Sequence, residues 1–333
     1  MEFIDGSSER FRSQQRAWYT SAITTHQADP FCCTPAWQLS FHEAFGRKRR
    51  LLIAESAGNV IAFAENALAR DRIFLTPIEA HWLFGCPVLG KAAVELLSGV
   101  LEFCRTFYAP AFPKIAVSGI RPGGVLARRL QQCFSGSFSI VFHSSGLQCA
   151  ASLAGGMDGF LSRRSANHRH KLRKAARRAA EHGVYFERVV PASSSEAEAA
   201  YARMLAVEHV SWKGLGRCGM AEPPSKHFYS CMLQRLSSSK QGRIIFAKHE
   251  NRDIGFIFGG MAGNIYRGQQ FSFDDAWRRF SIGSVMQLEK IGWLCEEGAV
   301  RYDMGPLDGP RMGYKEHWTE KKVRLQTWVL EKQ

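Results

Sequence analysis

RIIFAKHENRDIGFIFGGMAGNIYRGQQFSFDDAWRRFSIGSVMQLEKIGWLCEE (243–297) decides the fold of this chain. RIIFAKH, DIGFIFGGM and NIYRGQQFS are rich in β-branched and aromatic residues and are separated by the turn formers ENR and AGN. They read as three strands joined by tight turns. A helix over roughly 281–297 follows, then VRYDMG (300–305) and KVRLQTWVL (322–330) as strands. Strands, a crossing helix and a returning strand form an α/β pattern. Arg278-Arg279-Phe280-Ser281-Ile282-Gly283-Ser284 opens that helix. A basic, glycine-containing turn at a helix N-terminus offers free backbone N–H groups and the positive end of the helix dipole, which together suit a phosphate.

Working outward, the same order recurs nearer the N-terminus. RRLLIAES (49–56), VIAFAENALA (60–69) and RIFLTP (72–77) read as strands, the first two joined by AGN. A helix over 90–108, a strand KIAVSG (114–119), a helix over 122–134 and a strand FSIVFH (138–143) follow, and a short helix at 35–46 is stopped by Gly46. At an offset of 193 residues, Ala54, Ile61, Phe63 and Ala69 coincide with Ala247, Ile254, Phe256 and Ala262. Matching order and matching residues indicate two related units. The small-residue stretch 145–158 reads as their connection, which divides the chain into domains 1–145 and 146–333. After it come a basic helix (160–183), a strand YFERVV (185–190), a helix with Ser195 as its N-cap, and a helix HFYSCMLQRLSSS (227–239).

The 333 residues are 45% apolar and carry 44 basic against 30 acidic side chains, a net charge of +14. The apolar content supports real cores, and the charge favours an anionic partner such as a nucleotide cofactor, an acidic substrate or a nucleic acid. The opening residues lack a secretory pattern, and the most apolar window, 81–109, is interrupted by Lys91, Glu95, Glu102 and Arg105, so a cytoplasmic location without membrane insertion is expected. The nine cysteines are scattered without a C-x-x-C pair, which reads as free thiols and excludes a zinc-ligand spacing.

Five segments carry a resemblance. They are PAW (35–37), the basic helix 160–183, EHVSWKG (208–214), YRGQQFSFDDAWRRFSIGSVM (266–286) and VRYDMGPLDGPRMGYKEHW (300–318). Together they resemble the GNAT acyltransferase superfamily, in particular the CelD-like acetyltransferase branch related to FemAB-type peptidyltransferases. The resemblance implies two tandem, pseudo-duplicated GNAT-like mixed-sheet units, the first degenerate and the second holding the cofactor. It implies that the turn formed by Arg278, Arg279, Ser281, Ile282, Gly283 and Ser284 holds the pyrophosphate of acyl-CoA. In the family's R/Q-x-x-G-x-G/A pattern Arg278 and Gly283 fit, while Ser281 stands where the first glycine is expected. The pantetheine arm is then expected between the strand around Tyr266–Phe271 and the strand Val300–Gly305.

Several side chains are candidates for chemistry. Asp303, near a strand end, reads as a turn-forming carboxylate or as a group that takes a proton from an attacking amine. Glu208 and Trp212, four residues apart on a helix, share a face; Glu208 reads as a surface glutamate or as a base held against an aromatic wall, its proton affinity raised by desolvation. His209 is the second choice. Tyr314 is a phenol suited to protonate a leaving thiolate, and Lys315 beside it suits a cofactor phosphate or an acidic acceptor. Trp212, Lys213 and Gln269 complete the acceptor-binding set. Cys218 and Cys295 have no paired base. The basic run Arg163 to Arg178 reads as a solvated helix face or as an anion-binding one. The expected reaction is transfer of an acyl group, acetyl first, from acyl-CoA to an amine of a small molecule or saccharide precursor, without a metal. Two alternatives stand beside it: a FemAB-like transferase that takes its group from aminoacyl-tRNA, and a non-catalytic nucleic-acid-binding or scaffold protein.

Overall fold

Turn chemistry sets the hairpins. The computed structural model of the chain describes residues 2–4, 9–25, 29–69, 72–309 and 312–333, so Pro310 and Arg311 of the loop before Tyr314 fall outside it. The chain folds as two compact units, Met1–Leu147 with Val323–Gln333, and Gln148–Lys322.

In the first unit β1 (Glu2–Ile4) precedes α1 (Glu9–Thr24) and α2 (Pro35–Phe45). Strands β2 (Leu51–Ser56), β3 (Asn59–Ala69) and β4 (Arg72–Pro77) form an antiparallel meander with β1 on its outer edge, and β5 (Val88–Leu89) adds to β3. Helix α3 (Ala93–Phe107) crosses over, and β6 (Lys114–Ile120) returns parallel to β4. The apolar stripe Val94, Leu97, Val100, Leu101 and Cys104 of α3, at helical spacing, is buried in one core with Leu51–Ala54 and Val60–Ala64. Helix α4 (Val125–Phe134) leads to β7 (Phe138–Ser152). The free side of β6 pairs with the final strand of the chain, Gln326↔Ile120 through Leu330↔Ile115.

Two expectations are corrected here. The stretch from 145 onward is strand as far as Ser152, because its backbone is paired with Arg301–Pro306, and small residues do not preclude a ladder. The last strand, assigned from sequence to the second domain, groups from Val323 with the first, because β6 needs a partner for its open edge.

The second unit begins with α5 (Gly156–Ser162) and α6 (Ala166–Glu181), expected as one helix but broken where Ser165 turns extended and accepts the His168 N–H. Helix α6 buries Leu172 and Ala179 and exposes Lys171, Arg173, Lys174, Arg177 and Arg178. After β8 (Tyr185–Val189) comes α7 (Ser194–His209). Its N-cap is Ser193 rather than Ser195: Ser193 Oγ accepts the Glu196 N–H at 3.2 Å while Glu196 Oε2 accepts the Ala192 N–H at 2.9 Å, a reciprocal cap of the S-x-x-E kind. Helices α8 (Trp212–Leu215) and α9 (Ser225–Ser238) precede the meander β9 (Gly242–His249), β10 (Arg252–Ala262) and β11 (Ile265–Phe273). Strand β8 pairs on β9. Helix α10 (Ile282–Glu296) crosses over, and β12 (Arg301–Pro306) returns parallel to β11, with Gln148–Ser152 of β7 on its other side. Strand β13 (Lys321–Lys332) is the final strand. Both units therefore follow one scheme, an antiparallel meander, a crossing helix and a parallel return, which is the mixed-sheet duplication expected from sequence. Ile282, Val285 and Met286 of α10 are buried on Ile254 and Ile257 of β10, which fixes the helix start over the sheet.

Candidate active site

Strands β11 and β12 pair through Ile265↔Arg301, Tyr266↔Tyr302 and Arg267↔Asp303 and then part. Each keeps its outer partner, β11 as far as Phe273 with β10 and β12 as far as Pro306 with β7. Two local features open the gap. The β10–β11 register shifts at Phe258/Gly259, which makes Gln269 an extra residue on β11 and leaves it outside the ladder. Gly268 has no side chain, and a Cβ there would stand 2.9 Å from the Tyr302 ring. The gap is a cleft of about 920 Å³. Gly268, Gln269, Gln270 and Phe271 line one side and Tyr302 and Met304 the other.

The turn that feeds α10 stands at the end of this gap. Ser281 adopts φ 59° and ψ 34°, the left-handed conformation that glycine takes without strain. A glycine in the pattern at this position is thereby explained, and a serine holds the same backbone at some cost. Among the described residues no side chain caps α10; the Ser284 and Val285 N–H groups turn to the Ser281 carbonyl, and those of Ile282 and Gly283 are left without a partner. Gly283 has a second reason to be glycine, since a Cβ would lie 3.0 Å from the Phe273 ring and 3.3 Å from that of Phe271. Arg278 lines the cleft and pairs with Asp275 at 2.7 Å. Arg279 lies over the Phe280 ring instead, and neither it nor residues 281–284 line the cleft walls.

The opposite wall comes from α8. Glu208 lies in the last turn of α7 and Trp212 begins the next helix, so the two do not share one helix face; Ser211 breaks the helix and caps α8 through the Lys213 and Gly214 N–H groups. The Glu208 side chain is wholly buried. Its Oε1 accepts the Met220 N–H at 2.9 Å and lies 3.8 Å from Lys213 Nζ, and among the described residues its Oε2 has no hydrogen-bond partner. A Cβ on Gly219 would stand 2.0 Å from Oε1, so this packing requires glycine there. Lys213 lines the cleft and donates to Gln270 Oε1 at 2.9 Å, and Gln270 donates to the Tyr229 hydroxyl at 2.7 Å. Burial pulls the Lys213 ammonium below the usual lysine range, against the pull of Glu208. His209, the second choice, is exposed at the end of α7.

The third wall follows β12, where Tyr314 and Lys315 sit in a 3-10 turn, Gly313–His317. The Tyr314 ring meets Phe271 at 5.9 Å, and desolvation raises its phenol so that it holds its proton. Lys315 is 6% exposed and donates to the Pro306 carbonyl at 2.7 Å; burial, then the neighbouring Arg267, push its ammonium down to about 8. Asp303 does not line the cleft. Side chains alternate along a strand, so with Tyr302 and Met304 facing the cleft Asp303 faces away, and Arg301 Nε lies 2.7 Å from its Oδ1.

The structure thus brings Trp212, Lys213, Gln269, Arg278, Tyr314 and Lys315 to one cleft, with Glu208 directly behind Lys213. Sequence reasoning missed Gln287, Tyr302 and Tyr229. Gln287 is four residues after Gly283 on the same helix face, and Tyr302 accompanies it by donating to its Oε1 at 3.4 Å. The i, i+4 spacing from the turn was the available signal for Gln287. Cys218 lines the cleft and bonds only to the Lys213 carbonyl, and Cys295 lies elsewhere with its thiol raised by burial. Among the described residues no helix is long and apolar enough to cross a membrane.

Residues 166–316 match the family model of the acetyltransferase (GNAT) domain. No curated protein matches the chain. Among solved structures it is similar to a conserved protein of unknown function from Bacteroides thetaiotaomicron, at 7% identity and TM-score 0.68, over 96% of this chain and 97% of that one. It is similar to FemX at 11% identity and TM-score 0.65, over 98% and 97%. It is similar to L-PGS from Bacillus licheniformis at 14% identity and TM-score 0.56, over 90% and 91%. At such identities the likeness is one of fold.

Proposed function

We propose, from the match of residues 166–316 to the acetyltransferase (GNAT) domain model, that the second unit is an N-acyltransferase that moves an acyl group, acetyl first, from acyl-CoA to an amine. The observation that carries the reading is the parting of β11 and β12 after three paired residues, beside a helix whose first two N–H groups are free. A gap between strands admits an extended thioester arm, and free N–H groups at the positive helix end suit its diphosphate. Arg278, at the same turn, adds a cation to the mouth.

Each chemical role then falls to a cleft residue. The acceptor amine attacks the thioester carbonyl, and the carbonyl oxygen gains charge. Gln269, the extra residue on β11, is released from the ladder and offers its backbone N–H to that oxygen. The amine's proton passes to Lys213 Nζ, whose neutral form burial favours, and the new ammonium is held by Glu208 and the Gln270 carbonyl oxygen. When the carbon–sulfur bond breaks, the thiolate takes the proton of Tyr314. In this reading Glu208 acts through Lys213, and Asp303, paired with Arg301, helps to position strand β12. Calorimetry with CoA and acetyl-CoA is the direct test: saturable heat is expected, and none at millimolar cofactor removes the acyl-CoA reading.

A second reading takes the donor to be an aminoacyl-tRNA, as in the FemAB-type relatives. It is favoured by the exposed basic residues of α6 and by the likeness to FemX. Binding that weakens steeply with added salt would select it.

A further inference from the structure

The walls of the cleft hold Lys213, Arg278 and Lys315, and no aspartate or glutamate lines it among the described residues. Two of these side chains already have a carboxylate partner, Lys213 in Glu208 behind it and Arg278 in Asp275 at its side. Lys315 does not. It is more than nine-tenths buried, and among the described residues its Nζ makes one hydrogen bond, to the Pro306 carbonyl, and the groups that act on its charge are Arg267 and Cys149, with no carboxylate among them. Arg267, which pushes it down, is itself buried and carries the same sign. A buried ammonium without a counter-ion is costly, and an apolar side chain of similar length would fill the space more cheaply. Its two remaining N–H donors are unassigned on a wall that faces the cleft. The turn at α10 and Arg278 already offer sites for a cofactor diphosphate, beyond the end of β11, whereas Lys315 is fixed at the end of β12.

We propose that the acceptor is an amine that also carries a carboxylate or a phosphate, and that Lys315 is the residue that recognises this anionic group. The inference rests on the acyl-transfer reading of the cleft and deepens it by naming the acceptor class. A neutral amine leaves Lys315 unbalanced, so selectivity arises from an unmet charge as much as from fit.

The test uses the full chain labelled with carbon-13 at the lysine ε position, with the Lys315 signal assigned from its loss in Lys315→Met. Glycine, phosphoethanolamine, ethanolamine and acetyl-CoA are titrated separately. The expected result is a saturable Lys315 shift with glycine or phosphoethanolamine and none with ethanolamine; the stronger of the two anions tells carboxylate from phosphate. By calorimetry Lys315→Met should bind the anionic amine about tenfold more weakly, the value of one charge-assisted hydrogen bond, with acetyl-CoA affinity unchanged. An equal response to ethanolamine, or a shift with acetyl-CoA alone, overturns the inference. A Lys315 shift with anionic amines but no heat with acetyl-CoA keeps the anion site and removes the acyl-CoA donor. Heat with acetyl-CoA and no shift with anionic amines does the reverse.

Discussion

In the first unit β4 and β6 run parallel through Phe74↔Lys114 and Leu75↔Ile115, and in the second β11 and β12 do so from Ile265↔Arg301 to Arg267↔Asp303. Beyond those pairs the units differ. In the first, the chain at Gly85–Cys86 lies against β6: Ser118 donates to the Gly85 carbonyl, and a Cβ on Gly119 would stand 3.0 Å from the Cys86 nitrogen. The entry to α3 is also occupied, since Asn59 Oδ1 accepts the Ala92 N–H at 2.8 Å. In the second unit the flank of β12 is open as a cleft, and the first N–H groups of α10 have no partner among the described residues. One topology provides a potential site twice, and the fold fills one copy with its own polar groups. The unsatisfied donors and the unbalanced lysine of the second copy are the features that stability alone would have removed.

Making the second unit resemble the first should have the largest effect. Gly268→Val would press a branched side chain on the Tyr302 ring, and acetyl-CoA affinity should fall by about a hundredfold or more, with the circular dichroism spectrum kept. Retained binding would detach the gap from the cofactor. Glu208→Gln should come next. It leaves Lys213 without its counter-charge, so turnover should drop by roughly a hundredfold, and the loss of one partner of a buried pair should cost about 3 kcal/mol of unfolding free energy. Normal turnover would remove the Lys213–Glu208 pair from the reaction.

Lys315→Met should change stability in the opposite direction. The folded ammonium is pushed to about 8 from 10.5. Between those values the unfolded chain binds a proton that the native chain does not, so stability rises with pH across the window. Below pH 8 the native state carries the full penalty, at most about 3 kcal/mol. The variant should therefore be more stable than the parent by about 1–3 kcal/mol at pH 7, with part offset by the lost bond to Pro306. That gain should vanish by pH 10.5 in denaturant titrations. A less stable variant at pH 7 would mean that Lys315 is structural. The smallest effect is expected at the turn: Ser281→Gly should raise stability by about 1 kcal/mol at most, by relief of left-handed strain, and leave cofactor binding intact. Loss of binding would give the serine hydroxyl a direct part.

Much of this contrast was legible from local patterns. The meander 243–273 was readable because ENR and AGN fix its turns and β-branched residues fill its strands, and the capping signal S-x-x-E at Ser193 was present although Ser195 was chosen. Non-local choices were not legible. That β7 continues to Ser152, and that the last strand pairs with β6, depends on which distant edges lack partners. Asp303 stands off the cleft for a simpler reason: counting by two from Tyr302 puts it on the other face, which a single residue viewed alone does not disclose. Glu208 and Trp212 looked like one helix face until Ser211 broke the helix. The absence of carboxylates from the cleft among the described residues, and a Lys315 without a carboxylate partner there, are properties of the assembled walls, invisible in the linear order.

The most direct test of the central claim is amide-resolved NMR of the full chain titrated with acetyl-CoA. The account predicts saturable shifts at the N–H groups of Ile282, Gly283 and Gln269 in the second unit, with Ala92 of the first unit unmoved. No shift at the α10 start, or an equal shift at Ala92, would contradict it.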